Sequence, residues 1–426
     1  MKTNSVRSLI SASLMFCSTA ATSTALAVAA PIAAVPALDP YLATVSAKVL
    51  SSGKNPKLFA LSSLPGRDRT PILEDKPALK FAFFAGAAKA SPLVFVVAGL
   101  GGTAEEGSAL FIGDVLSRGG YNVAVVPNPF SWQFVLKRSR VAMPGFIPTE
   151  TQELLDMMVE VRNCLARKSV TPSETSAVGY SLGAVHLGLL QLQMSRGEIK
   201  SEIHFKRLVL INPPLNIPYA LDQIDNLERK KDEYSADQRT LLWGVMLHKV
   251  GSLGKPKKGG DYGVYVRNAI SELKVSPHQA AFLIGESFRS SLTDLIFASQ
   301  QVRDRGVLRE PVGRFKRNSR MEEASGILYG QYMNDYMMPF WQDRRGTEYA
   351  RTEFANQASL SRSVRALGKE SSVRLIHNQD DFLTDSEDLK ALDSELGSRS
   401  LVFRYGGHVG NLWSPAVQLA LIQFLE

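Results

Sequence analysis

Apolar positions along the chain follow two alternating periods, and the changes of period mark the elements. Unbroken or nearly unbroken apolar runs of strand length stand at Leu79–Phe84, Pro92–Ala98, Tyr121–Val126, Thr175–Tyr180 and Arg207–Ile211. Between them the spacing becomes helical, at Ala109–Arg118, along Leu155, Met158, Arg162 and Leu165, and through Leu182–Met194. Thr149-Glu150-Thr151-Gln152 reads as a capping box that opens the second of these helices. The rhythm stops near Asn216 and returns with a strand at Val373–Ile376. A second capping box follows at Thr384-Asp385-Ser386-Glu387, opening a helix through Leu396. A strand at Leu401–Tyr405 and a helix opened by Ser414-Pro415 complete the pattern.

Strands that alternate with helices predict parallel pairing, because each crossover returns the chain to the same end of the sheet. Strands buried on both faces should be apolar throughout, as Leu93-Val94-Phe95-Val96-Val97 and Leu208-Val209-Leu210-Ile211 are. The alternation assigns 79–216 and 372–426 to one α/β core. Residues 217–371 have helical patches without strand rhythm and read as a helical cap or lid insertion. Within it, Phe288, Leu292, Leu295 and Ile296 predict a packed helix face. The Met- and aromatic-rich run Ile327–Trp341 fits either the core of the cap or the lining of an apolar ligand pocket. Residues 31–78 form a lead-in, in which Asp39-Pro40 opens a short helix with Leu42, Val45 and Val49 on one face.

Composition changes the picture mainly at the start of the chain. Lys2 and Arg7 precede an apolar, small-residue stretch from Leu9 to about Ala30, with A-x-A sites ending at Ala27 and Ala29. This pattern predicts a signal peptide over residues 1–30, cleaved near Ala27 or Ala29, and hence export to the periplasm or beyond. Cys17 falls inside it, and the large residues before it disfavour lipidation. Cleavage would leave Cys164 as the single cysteine of the chain, expected in the core. Over the whole chain, 45% hydrophobic and 21% charged residues are ordinary for a globular protein. The net charge of +8 suits peripheral contact with an anionic membrane or envelope polymer. Lys255, Lys257 and Lys258 predict a solvated loop, and no motif points to nucleic acid.

The candidate chemistry begins at Gly179-Tyr180-Ser181-Leu182-Gly183, which follows a strand and opens a helix. A serine on so tight a turn needs glycine at both flanks. It presents its hydroxyl above the sheet, in front of a helix N-terminus that favours negative charge. A serine hydroxyl needs a base. His408, between glycines in Gly406-Gly407-His408-Val409-Gly410 after the last strand, is the best placed of the histidines, with His377 as runner-up. His186 is expected to pack on the helix behind Ser181. The base in turn needs a carboxylate to orient it. Asp380 and Asp381 compete for this role in the turn after Val373–Ile376; Asp381 is favoured because Phe382-Leu383 can hold its turn down, leaving Asp380 as an exposed turn carboxylate. Gly99-Leu100-Gly101-Gly102 follows the most apolar strand and leaves backbone N–H groups free. The Leu100 and Leu182 N–H groups are the expected oxyanion donors.

The order Ser181…Asp381…His408, the elbow and the glycine-rich first loop resemble the α/β-hydrolase superfamily. Gly406-Gly407-His408-Val409-Gly410 and the Asp380-Asp381 turn resemble a bacterial, esterase- and lipase-like branch of it. The resemblance spans 79–216 and 372–426. It implies an α/β-hydrolase fold, with a mostly parallel central sheet, helices on both faces and a large helical cap. Two features depart from the family pattern. Ala98-Gly99 stands where many members have His-Gly, which bears on the branch rather than the chemistry, and the gap from Ser181 to Asp381 is long enough to hold the insertion.

The expected function is that of a secreted serine hydrolase cleaving carboxylic esters, with a small-molecule or lipid-like ester as substrate. No cofactor is expected, and no metal motif of the HExxH or paired CxxC kind is present. The rival readings are an amidase or peptidase on the same fold, and a non-catalytic ligand- or envelope-binding member of it.

Overall fold

A computed structural model describes residues 37–67, 78–252, 262–313, 315–346 and 351–426. The expected signal peptide, Cys17 and the lysines of the 254–260 loop lie outside the described residues. Eight strands form one sheet: β1 (Lys57–Ala60), β2 (Lys80–Phe84), β3 (Leu93–Val97), β4 (Asn122–Val126), β5 (Thr175–Tyr180), β6 (Phe205–Ile211), β7 (Val373–Asn378) and β8 (Ser400–Phe403). Their order is β1-β2-β4-β3-β5-β6-β7-β8. β2 pairs antiparallel with both β1 and β4 at one edge, and every other pairing is parallel. This is the α/β-hydrolase fold. β1 escapes sequence reading because its residues are mostly exposed, so its apolar period is weak.

Strand geometry sorts the core into two layers, since successive side chains point to opposite faces. Leu93, Phe95, Val97, Ala177, Leu208, Leu210 and Leu375 pack on one face, against helices Ile147–Ala166 and Leu182–Ser195. Val94, Val96, Val123, Val125, Val178, Val209 and Ile376 pack on the other, against Gly107–Arg118 and Pro415–Gln423. Because both faces are covered, β3 and β4 are buried at every position. Each such Val, Leu or Phe contributes roughly 1.5–3 kcal/mol by leaving water.

The strand order reverses direction at β3, whose neighbours are β4 on one side and β5 on the other. The chain therefore leaves the carboxyl ends of β3 and β5 side by side and in opposite senses, which opens a crevice at the rim of the sheet. The Gly99–Gly102 loop and Ser181 occupy that crevice.

The described part of 217–369 is helical and contributes no strand. Phe288, Leu292, Leu295 and Ile296 lie on the long helix Pro277–Val302 and join the core as expected. No helix among the described residues is long and apolar enough to cross a membrane.

Three local expectations are corrected. The Thr149–Gln152 capping box does not form: the helix starts at Ile147, because Pro148 in its first turn presets φ and has no N–H to satisfy. Thr149 Oγ1 bonds back to the Phe146 carbonyl at 2.9 Å and Glu150 turns into the core. The helix Ser386–Leu396 is capped by Asp385 rather than Thr384. The Asp385 carboxylate accepts the Glu387 and Asp388 N–H groups, and its charge suits the helix N-terminus better than a hydroxyl does. Cys164 is half-buried rather than a core residue, because it flanks the inward stripe formed by Val161 and Leu165.

Candidate active site

Ser181 joins β5 to the helix Leu182–Ser195 with φ 53° and ψ −129°, a backbone state that side chains rarely adopt. Its N–H is held by the Ile211 carbonyl at 2.9 Å. Two glycines make this turn possible. A Cβ on Gly179 would lie 2.5 Å from the Gly183 carbonyl oxygen, and one on Gly183 would lie 2.5 Å from the Val97 carbonyl oxygen.

His408 reaches the same rim from the loop after β8. Its Nε2 lies 2.8 Å from Ser181 Oγ, and its Nδ1 lies 3.1 and 3.0 Å from the two carboxylate oxygens of Asp381. All three side chains are buried. Asp381 also accepts the Asn212 side-chain amide at 2.8 Å and the Leu383 N–H at 3.0 Å. Burial pushes the Asp381 carboxyl up. The charge and hydrogen bond of His408, His377 and the Leu383 N–H outweigh that and hold it below the ordinary aspartate range. The carboxylate is thus ionised and bonded where it can fix the imidazole tautomer.

The structure separates the two competing aspartates. Asp380 is half-buried instead of exposed, and it accepts the Gly406 and Gly407 N–H groups at 3.1 and 2.8 Å. The reason is the loop itself, whose two consecutive N–H groups need a buried acceptor. Burial raises the Asp380 carboxyl pKa against the pull of those two bonds. His377 does not stand in for His408: its ring nitrogens face the Asn378 and Pro213 carbonyls at 3.0 and 3.3 Å, and burial lowers its pKa. His186 packs behind the nucleophile, bonded to the Leu182 carbonyl and the Glu150 carboxylate at 2.9 Å each. His204 and His278 are exposed.

Among the described hydrogen bonds, the N–H groups of Leu100 and Leu182 have no acceptor, whereas the neighbouring Gly101 N–H bonds the Phe130 carbonyl at 3.1 Å and the Gly102 N–H bonds Gly99 at 3.0 Å. Tyr180 braces this loop from beneath. Its phenol bonds the Glu106 carboxylate, and a Cβ on Gly99 would lie 2.9 Å from its ring. Burial, with Glu106 adding to it, holds the Tyr180 phenol well above its ordinary pKa.

Several contributors were not legible in the sequence. Thr44 accepts the His408 N–H at 2.8 Å from the short helix Pro40–Ser46, which Asp39 caps as expected. Asn378 donates to the Gly407 carbonyl at 2.9 Å and exchanges bonds with Asn411. Asn212 is the one with a usable signal, because it directly follows β6, as Ser181 follows β5.

Two cavities meet at Ser181. The first is lined by apolar side chains that include Ile224, Tyr332, Met333, Met337 and Phe354. Tyr332, Met333 and Met337 of the Met- and aromatic-rich run thus line this cavity and also belong to the core. The second is lined by His408, by polar side chains including Lys48, Glu106 and Ser287, and by apolar ones including Trp243, Met246 and Leu283. No cluster of potential metal ligands occurs among the described residues.

No family model matches the chain, and no curated protein sequence matches it. Similar solved structures include esterase B from Lactobacillus rhamnosis (10% identity, covering 90% of this chain and 89% of that one, TM-score 0.41). An esterase of Pyrococcus furiosus is similar at 10% identity, 88% and 96% coverage and TM-score 0.38. A bacterial membrane phospholipase A is similar at 13% identity, 90% and 88% coverage and TM-score 0.37. Likeness at this level carries no functional weight, and the chain's own geometry has to supply it.

Proposed function

We propose that this chain is a serine hydrolase that cleaves carboxylic esters through an acyl-enzyme. The observation that carries the reading is the continuous contact from Ser181 Oγ through the His408 imidazole to the Asp381 carboxylate.

In this reading His408 Nε2 takes the hydroxyl proton as Ser181 Oγ attacks the ester carbonyl carbon. Asp381 keeps Nδ1 protonated and stabilises the imidazolium that forms. The carbonyl oxygen becomes an oxyanion facing the Leu100 and Leu182 N–H groups, a kind of contact worth roughly 3–4 kcal/mol in the transition state. The tetrahedral intermediate collapses, the carbon–oxygen bond to the alcohol breaks, and His408 returns the proton to the departing oxygen. Water, deprotonated by the same nitrogen, then attacks the acyl-enzyme, releasing the acid and restoring Ser181.

An ester of lipid-like character is favoured over a peptide by the first cavity, whose wall is apolar. The reading also includes export, on the strength of the Lys2–Ala29 pattern. A mature N-terminus just after Ala27 or Ala29, measured by mass spectrometry, would support it.

The deciding experiment combines an ester and peptide panel with labelling by a fluorophosphonate. The expected result is ester turnover and labelling at Ser181, both lost in Ser181→Ala. Equal turnover by the variant, or peptide cleavage exceeding ester cleavage, would overturn the proposal.

A further inference from the structure

The positive charge of the chain is concentrated in a segment that the proposed chemistry does not use. Between residues 303 and 320 stand seven cationic side chains and two anionic ones, against a net charge of +8 for the whole chain. Both acids are already engaged. Asp304 lies 3.7 Å from the Arg320 guanidinium, and Glu310 lies 3.0 Å from the Lys316 ammonium. Arg303, Arg309 and Arg317 are exposed, and among the described residues none of them has a carboxylate within ion-pair reach. The positive field extends past the segment. Arg344 is exposed, and it and Arg305 lie over the Phe340 ring, 3.9 and 4.4 Å from its centroid. Burial, and then the charges of Arg303 and Arg344, lower the Arg305 guanidinium pKa, as happens where cations face one another.

The same segment displays an apolar tip. Phe315 is 94% exposed and Val312 46%. The loop that carries them is nevertheless held at its base. The Glu323 carboxylate accepts the Arg309 and Glu310 N–H groups at 2.8 and 3.2 Å, and the buried Arg320 guanidinium donates to the Glu310 carbonyl. The Lys316 N–H donates to the Gly313 carbonyl at 3.0 Å. A segment anchored in this way, which still leaves a phenyl ring in water, forgoes a burial that most such rings achieve.

An aromatic ring set among exposed cations suits the boundary of an anionic bilayer, where the ring leaves water and the cations meet the headgroups. We propose that the 303–320 segment is a docking surface for an anionic membrane. Phe315 enters the interface, and Arg303, Arg309 and Arg317 face the lipid headgroups. A second copy of this chain would bring like charge to like charge, and a dissolved polyanion gives the ring no apolar phase to enter. Arg320 also ties the segment to the end of the helix Pro277–Val302, by its bond to the Gln300 carbonyl at 3.4 Å. Phe288 on that helix lines both cavities at Ser181. It stands about 20 Å along the axis from the docking end, at the ordinary helical rise. The surface is therefore separate from Ser181, and the proposal is independent of the hydrolase reading.

The test is sedimentation of the full chain with vesicles of phosphatidylcholine, alone or mixed with phosphatidylglycerol, at low and high salt. Wild-type partition is expected to rise with phosphatidylglycerol and to fall with salt. Phe315→Ser is expected to lower partition about tenfold, the scale of losing one buried phenyl ring. Arg309→Gln combined with Arg317→Gln is expected to lower it about fivefold per charge on the anionic vesicles, and to leave it unchanged on phosphatidylcholine. Every variant keeps the same N-terminus, so any lipid affinity of that end cancels in the comparison. A second readout places the tip. The emission that Phe315→Trp adds to the wild-type spectrum should shift to the blue on vesicles and be quenched by brominated acyl chains. Equal partition of Phe315→Ser and wild type, with loss confined to the arginine variant, would mark a polyanion site and overturn the proposal. Added emission that stays unshifted on bound vesicles would overturn it as well. Circular dichroism and fluorophosphonate labelling should be the same for all four proteins. Absence of labelling in wild type would remove the hydrolase reading and leave the docking result standing.

Discussion

The Thr44 hydroxyl accepts the backbone N–H of His408 at 2.8 Å, so a residue near the start of the described chain holds the proposed general base near its end. The same hydroxyl donates to the Pro40 carbonyl at 2.7 Å, and Ser46 Oγ donates to the Gly410 carbonyl at 3.0 Å. Gly407 has φ 54°, and any Cβ there would run into the Pro40 carbonyl. The short helix is thus a clamp on the histidine loop. Thr44→Val keeps the shape and leaves the N–H unpaired, which should destabilise the protein by roughly 1–3 kcal/mol. If the clamp sets the imidazole, kcat falls about tenfold with KM nearly unchanged, and Thr44→Ser restores it. Steady-state kinetics and thermal melts of the three proteins check this.

Asp381 and Asp380 should part company when each is changed to asparagine. Asp381→Asn removes the acceptor that fixes the imidazole tautomer, and kcat is expected to fall about 10⁴-fold. Asp380→Asn keeps one acceptor oxygen for the two glycine N–H groups and should cost far less. The two also differ in acid. A carboxyl held below its ordinary pKa contributes stability that is full above the unfolded value and is lost as pH falls through the folded one. Acid melts should therefore weaken wild-type protein more than Asp381→Asn.

Glu153 supplies a pH effect of opposite sign. Burial, opposed by the Arg140 N–H and helped by Glu150, raises its carboxyl to about 7. A carboxyl raised on folding favours the folded state while protonated. Its ionisation then weakens the protein progressively from the unfolded value near 4.5 up to about pH 7. Glu153→Gln retains an oxygen for the Arg140 N–H and never ionises. Relative to wild type it should gain stability at pH 8 over pH 4, by at most about 3 kcal/mol. Chemical denaturation at the two pH values measures the difference.

Gly183→Ala probes the turn itself. The added methyl meets the backbone carbonyls of Val97 and Ala98, which cannot rotate away as a side chain tip would. Overpacking of this kind costs typically 1–3 kcal/mol, and the strand end it pushes leads into the loop that holds Leu100. Activity should therefore fall by more than the stability loss explains, as read from kcat/KM and denaturation on the same preparation.

The strands β3 to β7 and the helices that cover them were legible because burial on both faces demands continuous apolar runs, as Leu93–Val97 and Leu208–Ile211 display. The elbow was legible because backbone clashes at residues 179 and 183 leave glycine as the fitting choice. β1 was not, since an edge strand with exposed positions has no apolar signature. Helix starts were misjudged where a proline or a charged acceptor outcompeted the hydroxyl cap, at Pro148 and Asp385.

Local chemistry along the chain determined which residue types stand at strand ends: Ser181 between glycines, His408 between glycines, two aspartates after β7. Which of them meet is a matter of strand order and register, and these depend on pairings between segments far apart in the chain. Only tertiary structure could direct Asp381 to the imidazole and Asp380 to the glycine N–H groups, because adjacent residues in a turn point opposite ways and nothing local says which way the loop after β8 will approach. The same holds for Thr44, whose role exists only because a helix before the first strand packs on a loop after the last.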